Sequence, residues 1–428
     1  MLAIMDRPEL LAPLHDWKSL SNTNVLENAD SVYFGIQGNF CTRTLANNFP
    51  MEDVDRLSDM VHDAGKKCYL ATNIIMYDDE LSEVRRTMEA ARDASVDAVI
   101  CHDIAAMMLA KEHGLPFHVS TQASVSNVLA AKFYRDAGAV RIVLARELSL
   151  EQVKAIAQSV DIPIECFVHG ALCTAISGRC YLSAEIMGFD QRYSANRGKC
   201  VQPCRRSYIL TADDRNELDF EPQSGLFFNA KDLCMVGHVT ELLDAGVACF
   251  KIEGRMRDPL YIQEVTACYR EAIDSAMEDT YTEEKIDGWL SRLRKVFNRG
   301  FSTGYYFGPP RPEDFEASRR GNVSEVEKML VGKVTNYFAK NNVAEIELVH
   351  GHVETGQEVV FENAADFYLK ECITSIQIER EPVEETPEAS AVNHVVVGIK
   401  TERPVPRNAN VFLLSPSKGT SQPDSATQ

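Results

Sequence analysis

Four cysteines, Cys173, Cys180, Cys200 and Cys204, follow one another with six, nineteen and three residues between them. Glycines, serines and basic residues fill the gaps, so the stretch is neither a packed helix nor a strand. A loop with so little apolar content needs a ligand or cross-links to hold its shape. The opening residues MLAIMDRPELLAPLHD show no basic segment leading into a long apolar one, so no secretory leader is expected and thiols are expected to stay reduced. That disfavours disulfides. A structural zinc site usually takes two short cysteine pairs, and only Cys200 with Cys204 approximates one. An iron–sulfur cluster tolerates irregular spacing because its ligands come from a wrapped loop, and the spacing favours it over zinc. Cys41 and Cys234 complicate the count. The first follows the second strand-like run and the second is expected to open a helix before the eighth, so six candidates compete for four places.

The same loop is basic. Arg179, Arg192, Arg197, Lys199, Arg205 and Arg206 lie within 28 residues whose acids are Glu185 and Asp190, on a chain of net charge −19. The overall charge argues against wholesale coating of nucleic acid but leaves room for a local patch. Arg192, Arg197, Lys199, Arg205 and Arg206 are therefore candidate phosphate contacts for RNA. The alternative is a solvated loop that balances the acidic scaffold and the thiolates. Hydrolase signatures are nearly absent: there is no HExxH, and GFSTG at 300–304 has no apolar strand leading into it, so a nucleophile elbow is not expected.

The elements that must position this loop are eight short apolar runs, at 8–14, 31–37, 67–73, 97–103, 116–122, 140–146, 164–170 and 248–254. Near-continuous apolar runs suit parallel strands buried on both faces. Between them lie segments of helical period, such as Val54, Leu57, Val61 and Ala64, and Ser149 with Gln152 reads as a capping box. Eight such units predict a (β/α)₈ barrel over residues 1–280, with a doubly wound sheet as the alternative. The cysteine loop, 170–230, is then an insertion after the seventh strand. Polar residues gather at the strand ends, where such barrels place their sites: Asn73, His102, Asp103, Thr121, Gln122, Arg146, Glu147, His169, Lys251, Glu253 and Arg255. Residues 281–330 read as a helix and a linker rich in Arg, Gly and Pro. From 331 to 415 the period turns to two, predicting a small β-barrel of five or six strands. Residues 416–428 read as a disordered tail. Cys68, Cys166, Cys249 and Cys268 sit in apolar patterns as small core residues, and no run is long enough to span a membrane.

HGALCTAISGRCYLS, RGKCVQPCR, NAKDL, FKIEGRMRDPLYI and RGFSTGYYFG resemble motifs of the collagenase-like peptidase family numbered thirty-two in the unknown-mechanism class. The resemblance runs from ELLAP near the start into the β-domain and points to the branch of tRNA hydroxylation proteins. It implies a 4Fe–4S protein for oxygen-independent RNA hydroxylation, with C5 of the wobble uridine of tRNA as the target and prephenate as the hydroxyl source. It further implies Cys173, Cys180, Cys200 and Cys204 as cluster ligands. Related paired chains that act on ubiquinone use a cysteine near Cys41 or near Cys234. Prephenate carries two carboxylates, so Arg146 and Arg255 are the expected guanidinium forks. His169 beside Cys173 is the expected proton donor or acceptor, and Glu253 completes the catalytic set, with an Arg255 ion pair to Glu253 or Glu147 as the plain alternative. tRNA is the expected partner of a cytoplasmic enzyme. A collagenase-like peptidase, or a non-catalytic RNA-binding subunit of a related family chain, stands as the alternative.

Overall fold

The computed structural model describes residues 7–21, 23–38, 40–190, 193–209, 226–318 and 320–417. Two compact units divide the chain: residues 1–15, 24–293 and 297–323 form the first, and 16–23, 294–296 and 324–428 the second.

The first unit is a closed parallel barrel. Its strands are β1 Glu9–Pro13, β2 Ser31–Phe34, β3 Lys67–Thr72, β4 Ala98–Cys101, β5 Phe117–Val119, β6 Arg141–Val143, β7 Ile164–Gly170 and, after an insertion, β9 Cys249–Ile252. Each pairs with the next in parallel, and β9 bonds both β1 (Glu9 opposite Cys249) and β7 (Glu165 opposite Cys249), which closes the ring. All eight expected runs form these strands. The helices between them bury one face each: Val54, Leu57 and Val61 on Val54–Asp63, and Val84, Met88 and Ala91 on Leu81–Asp93. The expected capping box is present on Leu150–Ala157. Ser149 Oγ accepts from Gln152 N at 3.3 Å, and Gln152 Oε1 accepts from Ser149 N at 2.9 Å. Asp258 caps the long helix Pro259–Met277 by accepting from Tyr261 N, which fixes an orphan donor of the first turn. Among the described residues no helix is long and apolar enough to cross a membrane.

The insertion departs from expectation in one respect. Cys234 does not open a helix; it ends a short strand, β8 Asp232–Cys234, that runs antiparallel to β7 and sets Cys234 opposite His169. β10, Phe301–Ser302, pairs with β8. Part of the expected linker is thus built into the barrel unit, where Tyr306 is buried with its hydroxyl on the Phe167 carbonyl at 2.7 Å. Arg, Gly and Pro signal the absence of regular helix there, not the absence of packing.

The N-terminal end of the barrel is closed by charge. Arg141 forks onto Glu9 (2.9 and 2.6 Å) and reaches Glu165 at 3.3 Å, while Lys251 Nζ lies 2.6 Å from Glu165. Tyr69 also donates to Glu9. Although burial opposes it, the Arg141 guanidinium holds the Glu9 carboxyl below its ordinary range. A buried cluster of Leu11, Tyr33, Tyr69, Ala98, Ile100 and Cys249 forms the barrel's apolar layer.

The second unit is one antiparallel sheet of eight strands, more than the five or six expected. Val326–Phe338, Val343–Leu348 and Asn410–Pro416 are its long members, and the last carries the fold one residue past the predicted boundary of the tail. Period-two burial on Val343–Leu348 packs Ala344, Ile346 and Leu348 into one core with Val331, Phe361, Ile399 and Val411. Gly332 lets two strands approach: a Cβ there would meet the Glu347 carbonyl oxygen at 2.4 Å. Residues 418–428, expected as tail, lie outside the described residues.

Candidate functional site

A cavity of ≈ 130 Å³ opens among the strand ends, and the four loop thiols of Cys173, Cys180, Cys200 and Cys204 all line it. Two backbone positions make this possible. Gly170 turns out of β7 at φ +108°, where a Cβ would strike the Glu253 carbonyl oxygen at 2.5 Å; Gly198 sits at φ +82°, with a Cβ position 2.1 Å from the Cys41 carbonyl oxygen. Only glycine fits either place. Asn196 Oδ1 accepts from Cys180 N at 3.0 Å, and Thr174 Oγ1 donates to the Phe228 carbonyl at 2.7 Å, pinning the loop at both ends.

The thiols feel one another. Burial, then the neighbouring sulfurs of Cys173 and Cys200, push the Cys180 thiol up. Cys204 is pushed up by burial and by all three other thiols, against the opposing charge of Arg205. Cys200 Sγ accepts from Gln202 N at 3.4 Å and from Ser183 Oγ at 3.7 Å. Hydrogen bonds to sulfur of this kind stabilise thiolate and tune a bound metal centre. A single tetrahedral zinc would draw the sulfurs to about 3.8 Å from one another. Among the described residues, the ligand group whose atoms lie within 4.8 Å of one another is His62, Cys68 and Asp97, not the loop thiols. The four sulfurs line one cavity, and four thiols on one loop are a donor set that could hold a metal centre. Cys41 and Cys234, the other two candidates, do not line the cavity. Cys41 is buried beside Gly35, its carbonyl accepting from Thr44 Oγ1 at 2.8 Å, and Cys234 is buried behind β7.

The cations on the wall divide into two kinds. Arg43 and Lys251 are matched: Arg43 places Nε and Nη2 on Glu253 Oε1 at 3.3 and 3.2 Å, and Lys251 is held by Glu165. Burial opposes ionisation of Glu253, but Arg43, Arg257 and Arg146 outweigh it and hold the carboxyl at about 2. Glu253 is therefore a fixed anion rather than a proton donor, and its other oxygen accepts from Ala171 N at 3.3 Å. Arg146 and Arg255 are the unmatched pair. Arg146 lies over the Phe167 ring at 4.1 Å and donates to the Ala171 carbonyl at 3.2 Å, leaving Nε buried without a partner. Arg255, 3% exposed, has only a long 3.4 Å bond to Thr42 Oγ1, and its Nη1 is buried without a partner. The ion pair considered for Arg255 does not form; Glu253 takes Arg43 instead.

His169 stands elsewhere. Its ring packs against Tyr261, Tyr269 and Phe301, outside the cavity lining, and burial with Arg257 nearby brings its pKa down to about 3. The cause is a bulge. Glu165 and Phe167 pair with Cys249 and Lys251, but the register then shifts so that His169 faces Ile252. One extra residue turns His169 away from the face that Phe167 shares. A neutral, enclosed imidazole cannot exchange protons with the cavity.

The candidate phosphate contacts also separate. Arg197 is committed to Glu80 and to the Ile75 carbonyl, and lies over Tyr77 at 4.8 Å. Arg205 is buried and donates to Asn229 Oδ1, to the Ala230 carbonyl and to the Leu172 carbonyl. Both hold the loop together. Arg206 is exposed, Lys199 is half-buried and Arg192 lies outside the described residues. Arg43 was not anticipated; its one sequence signal is its place in the loop that follows a barrel strand. Of the other strand-end candidates, Asn73, Thr121, Gln122 and Lys251 line the cavity, whereas Asp103 caps the helix Ile104–Glu112.

The model of Peptidase family U32 matches residues 16–316. A protein named collagenase from Porphyromonas gingivalis is 38% identical over 90% of this chain and 94% of its own. The tRNA hydroxylation protein P1 of Bacillus subtilis is 31% identical over 84% of each chain. A 23S rRNA 5-hydroxycytidine synthase of Escherichia coli is 37% identical over 70% of this chain and 45% of its own.

Proposed function

Because the chain belongs to peptidase family U32, whose relatives are named for both proteolysis and RNA hydroxylation, we propose that it is an iron–sulfur-dependent RNA hydroxylase. The finer reading is C5-hydroxylation of the wobble uridine of tRNA, with prephenate as hydroxyl donor and Cys173, Cys180, Cys200 and Cys204 holding a 4Fe–4S cluster. One observation carries it: the guanidiniums of Arg146 and Arg255, each with one buried nitrogen without a partner and neither paired with a carboxylate, belong to the cavity that the four thiols line. Polar groups buried without partners cost several kcal/mol unless a ligand satisfies them.

A bound cluster supplies one-electron redox chemistry and a Lewis-acidic iron. The protein's own residues do the rest. Arg146 and Arg255 offer forks for two carboxylates, and the Phe167 ring keeps Arg146 flat against the wall. Tyr33, Ile100, Val143 and Phe167 give the apolar surface that excludes water from the bound acid. Glu253, and after it the sulfurs of Cys200 and Cys173 when ionised, keep the Arg43 guanidinium charged against burial. The peptidase reading lacks a base: among the described residues lining the cavity there is no histidine to activate Ser120, Ser177 or a thiol.

Nucleoside mass spectrometry of tRNA from cells with and without this gene tests the proposal. Hydroxylated uridine is expected to vanish without the gene and to return with the wild-type protein. Unchanged nucleosides together with gelatin cleavage by metal-free protein would decide for the peptidase.

A further inference from the structure

On the far side of the Cys200 segment lies a second concavity, a groove of ≈ 410 Å³, and Cys200 belongs to the walls of both. The groove is strongly cationic on a chain of net charge −19. Arg206 and Arg320 are exposed on its rim, and Arg299, 5% exposed, forms part of its wall. Arg299 donates to Asp232 at 3.1 Å and only weakly to Gln202 Oε1 at 3.4 Å, and its Nε is buried without a partner. Asp232 is shared with Arg257, 4.0 Å away, which stacks on Phe297 at 3.7 Å. One carboxylate thus serves two guanidiniums while Arg205 stands close by. Burial and the like charges of Arg257 and Arg205, against the pull of Asp232, depress the Arg299 pKa. Leu45 and Met256, 52% and 41% exposed, give the same groove an apolar floor.

Surplus positive charge beside exposed apolar side chains is the surface that a nucleic-acid strand recognises, phosphate on the cations and sugar or base on the floor. We propose that this groove binds a phosphodiester of the RNA strand, with Arg206, Arg299 and Arg320 as phosphate contacts. The inference rests on the RNA reading above and adds the surface on which the strand lies. Because Cys200 is the shared wall, a strand in the groove passes beside the cavity, into which a single nucleoside would turn from it. Of the loop residues expected to bind RNA, Arg206 is kept, joined by Arg299 and Arg320 from a separate segment.

The test is binding of an unmodified tRNA transcript to anaerobically purified full-length protein, by fluorescence anisotropy between 50 and 200 mM salt. Arg206 and Arg320 are exposed, so the double variant Arg206→Gln/Arg320→Gln is expected to fold and to keep its iron. Its affinity should fall at least tenfold, and the slope of log K against log salt should flatten by about 1.5, two contacts at ~0.7–0.9 each. Arg86→Gln/Lys154→Gln, which removes equal charge from exposed positions outside the groove lining, should change neither. Equal losses in the two double variants, or unchanged RNA affinity in the first, would overturn the groove. So would loss of inorganic phosphate binding with RNA affinity intact. Binding is read apart from modification: a variant that loses RNA affinity supports the groove even where nucleoside analysis finds no hydroxylation.

Discussion

The two ends of the barrel bury the same kinds of side chain to opposite effect. At the N-terminal end Arg141 and Lys251 meet Glu9 and Glu165, two cations and two carboxylates at 2.6 to 3.3 Å. At the C-terminal end Arg43 meets Glu253, while Arg146 and Arg255 meet no carboxylate; an unpartnered nitrogen alone does not set them apart, since Arg141 Nε lacks a partner too. A buried cation paired with a carboxylate holds a fold in one arrangement. Buried charge left unmatched costs stability and is affordable where a ligand completes it. On the proposed reading, the contrast separates the arginines that hold the barrel together from those that bind.

Removing a matched partner should have the largest effect. Glu165→Ala leaves Lys251 without its carboxylate and Arg141 with one fewer, and should cost about 3–5 kcal/mol of barrel stability. Urea unfolding followed by helical circular dichroism reads this, because the described regular helices other than the last two residues of Glu283–Lys295 lie in the barrel unit. The double variant Glu165→Met/Lys251→Met should recover much of the loss by replacing the pair with apolar packing. A Glu165→Ala loss below about 1 kcal/mol would erase the distinction between the two ends.

Removing an unmatched cation should leave the fold nearly alone and abolish function. Arg255→Ala should change stability by less than about 1 kcal/mol, since its Nη1 has no partner to lose. Hydroxylated uridine should fall roughly a hundredfold, the effect of about 3 kcal/mol lost from a buried charge contact. Iron content should be unchanged. Destabilisation as large as that of Glu165→Ala would make Arg255 structural.

Much of this was legible in the sequence, for physical reasons that also mark where reading stops. Parallel strands buried on both faces appear as continuous apolar runs, so all eight barrel strands could be read, and the insertion after the seventh followed. The four thiols share one loop and one cavity, and spacing brought them together. Which partner a charge takes is decided by the closed ring, not by neighbours in sequence: Arg43 and Glu253 stand 210 residues apart. His169 lies four residues before Cys173 yet faces away, because a one-residue bulge in β7 is invisible to a period-two reading. Basic residues in a loop likewise say nothing of what they bind; Arg197 and Arg205 are spent on holding the loop, while Arg299 and Arg320 come from the stretch read as linker.

Glu253 joins the two kinds of site, and its titration gives the smallest but most specific test. Its carboxyl is held at about 2 in the folded chain, against an ordinary value of 4.5. A carboxyl depressed on folding adds stability that is fully present above its unfolded pKa and is lost as pH falls through the folded one. The contribution should therefore be constant above about pH 5 and decline between 4.5 and 2, by roughly 2 kcal/mol once the partial exposure of Arg43 is allowed for. Glu9, Glu80, Glu112 and Glu241 are also depressed, so the raw acid profile mixes several groups. The difference between wild type and Glu253→Gln isolates Glu253, because the others titrate in each protein and cancel. That difference curve should be flat above pH 5 and shrink below 4.5. A shrinkage that instead begins above pH 6 would mean that Glu253 is not held by Arg43, and that it can carry a proton in the cavity after all.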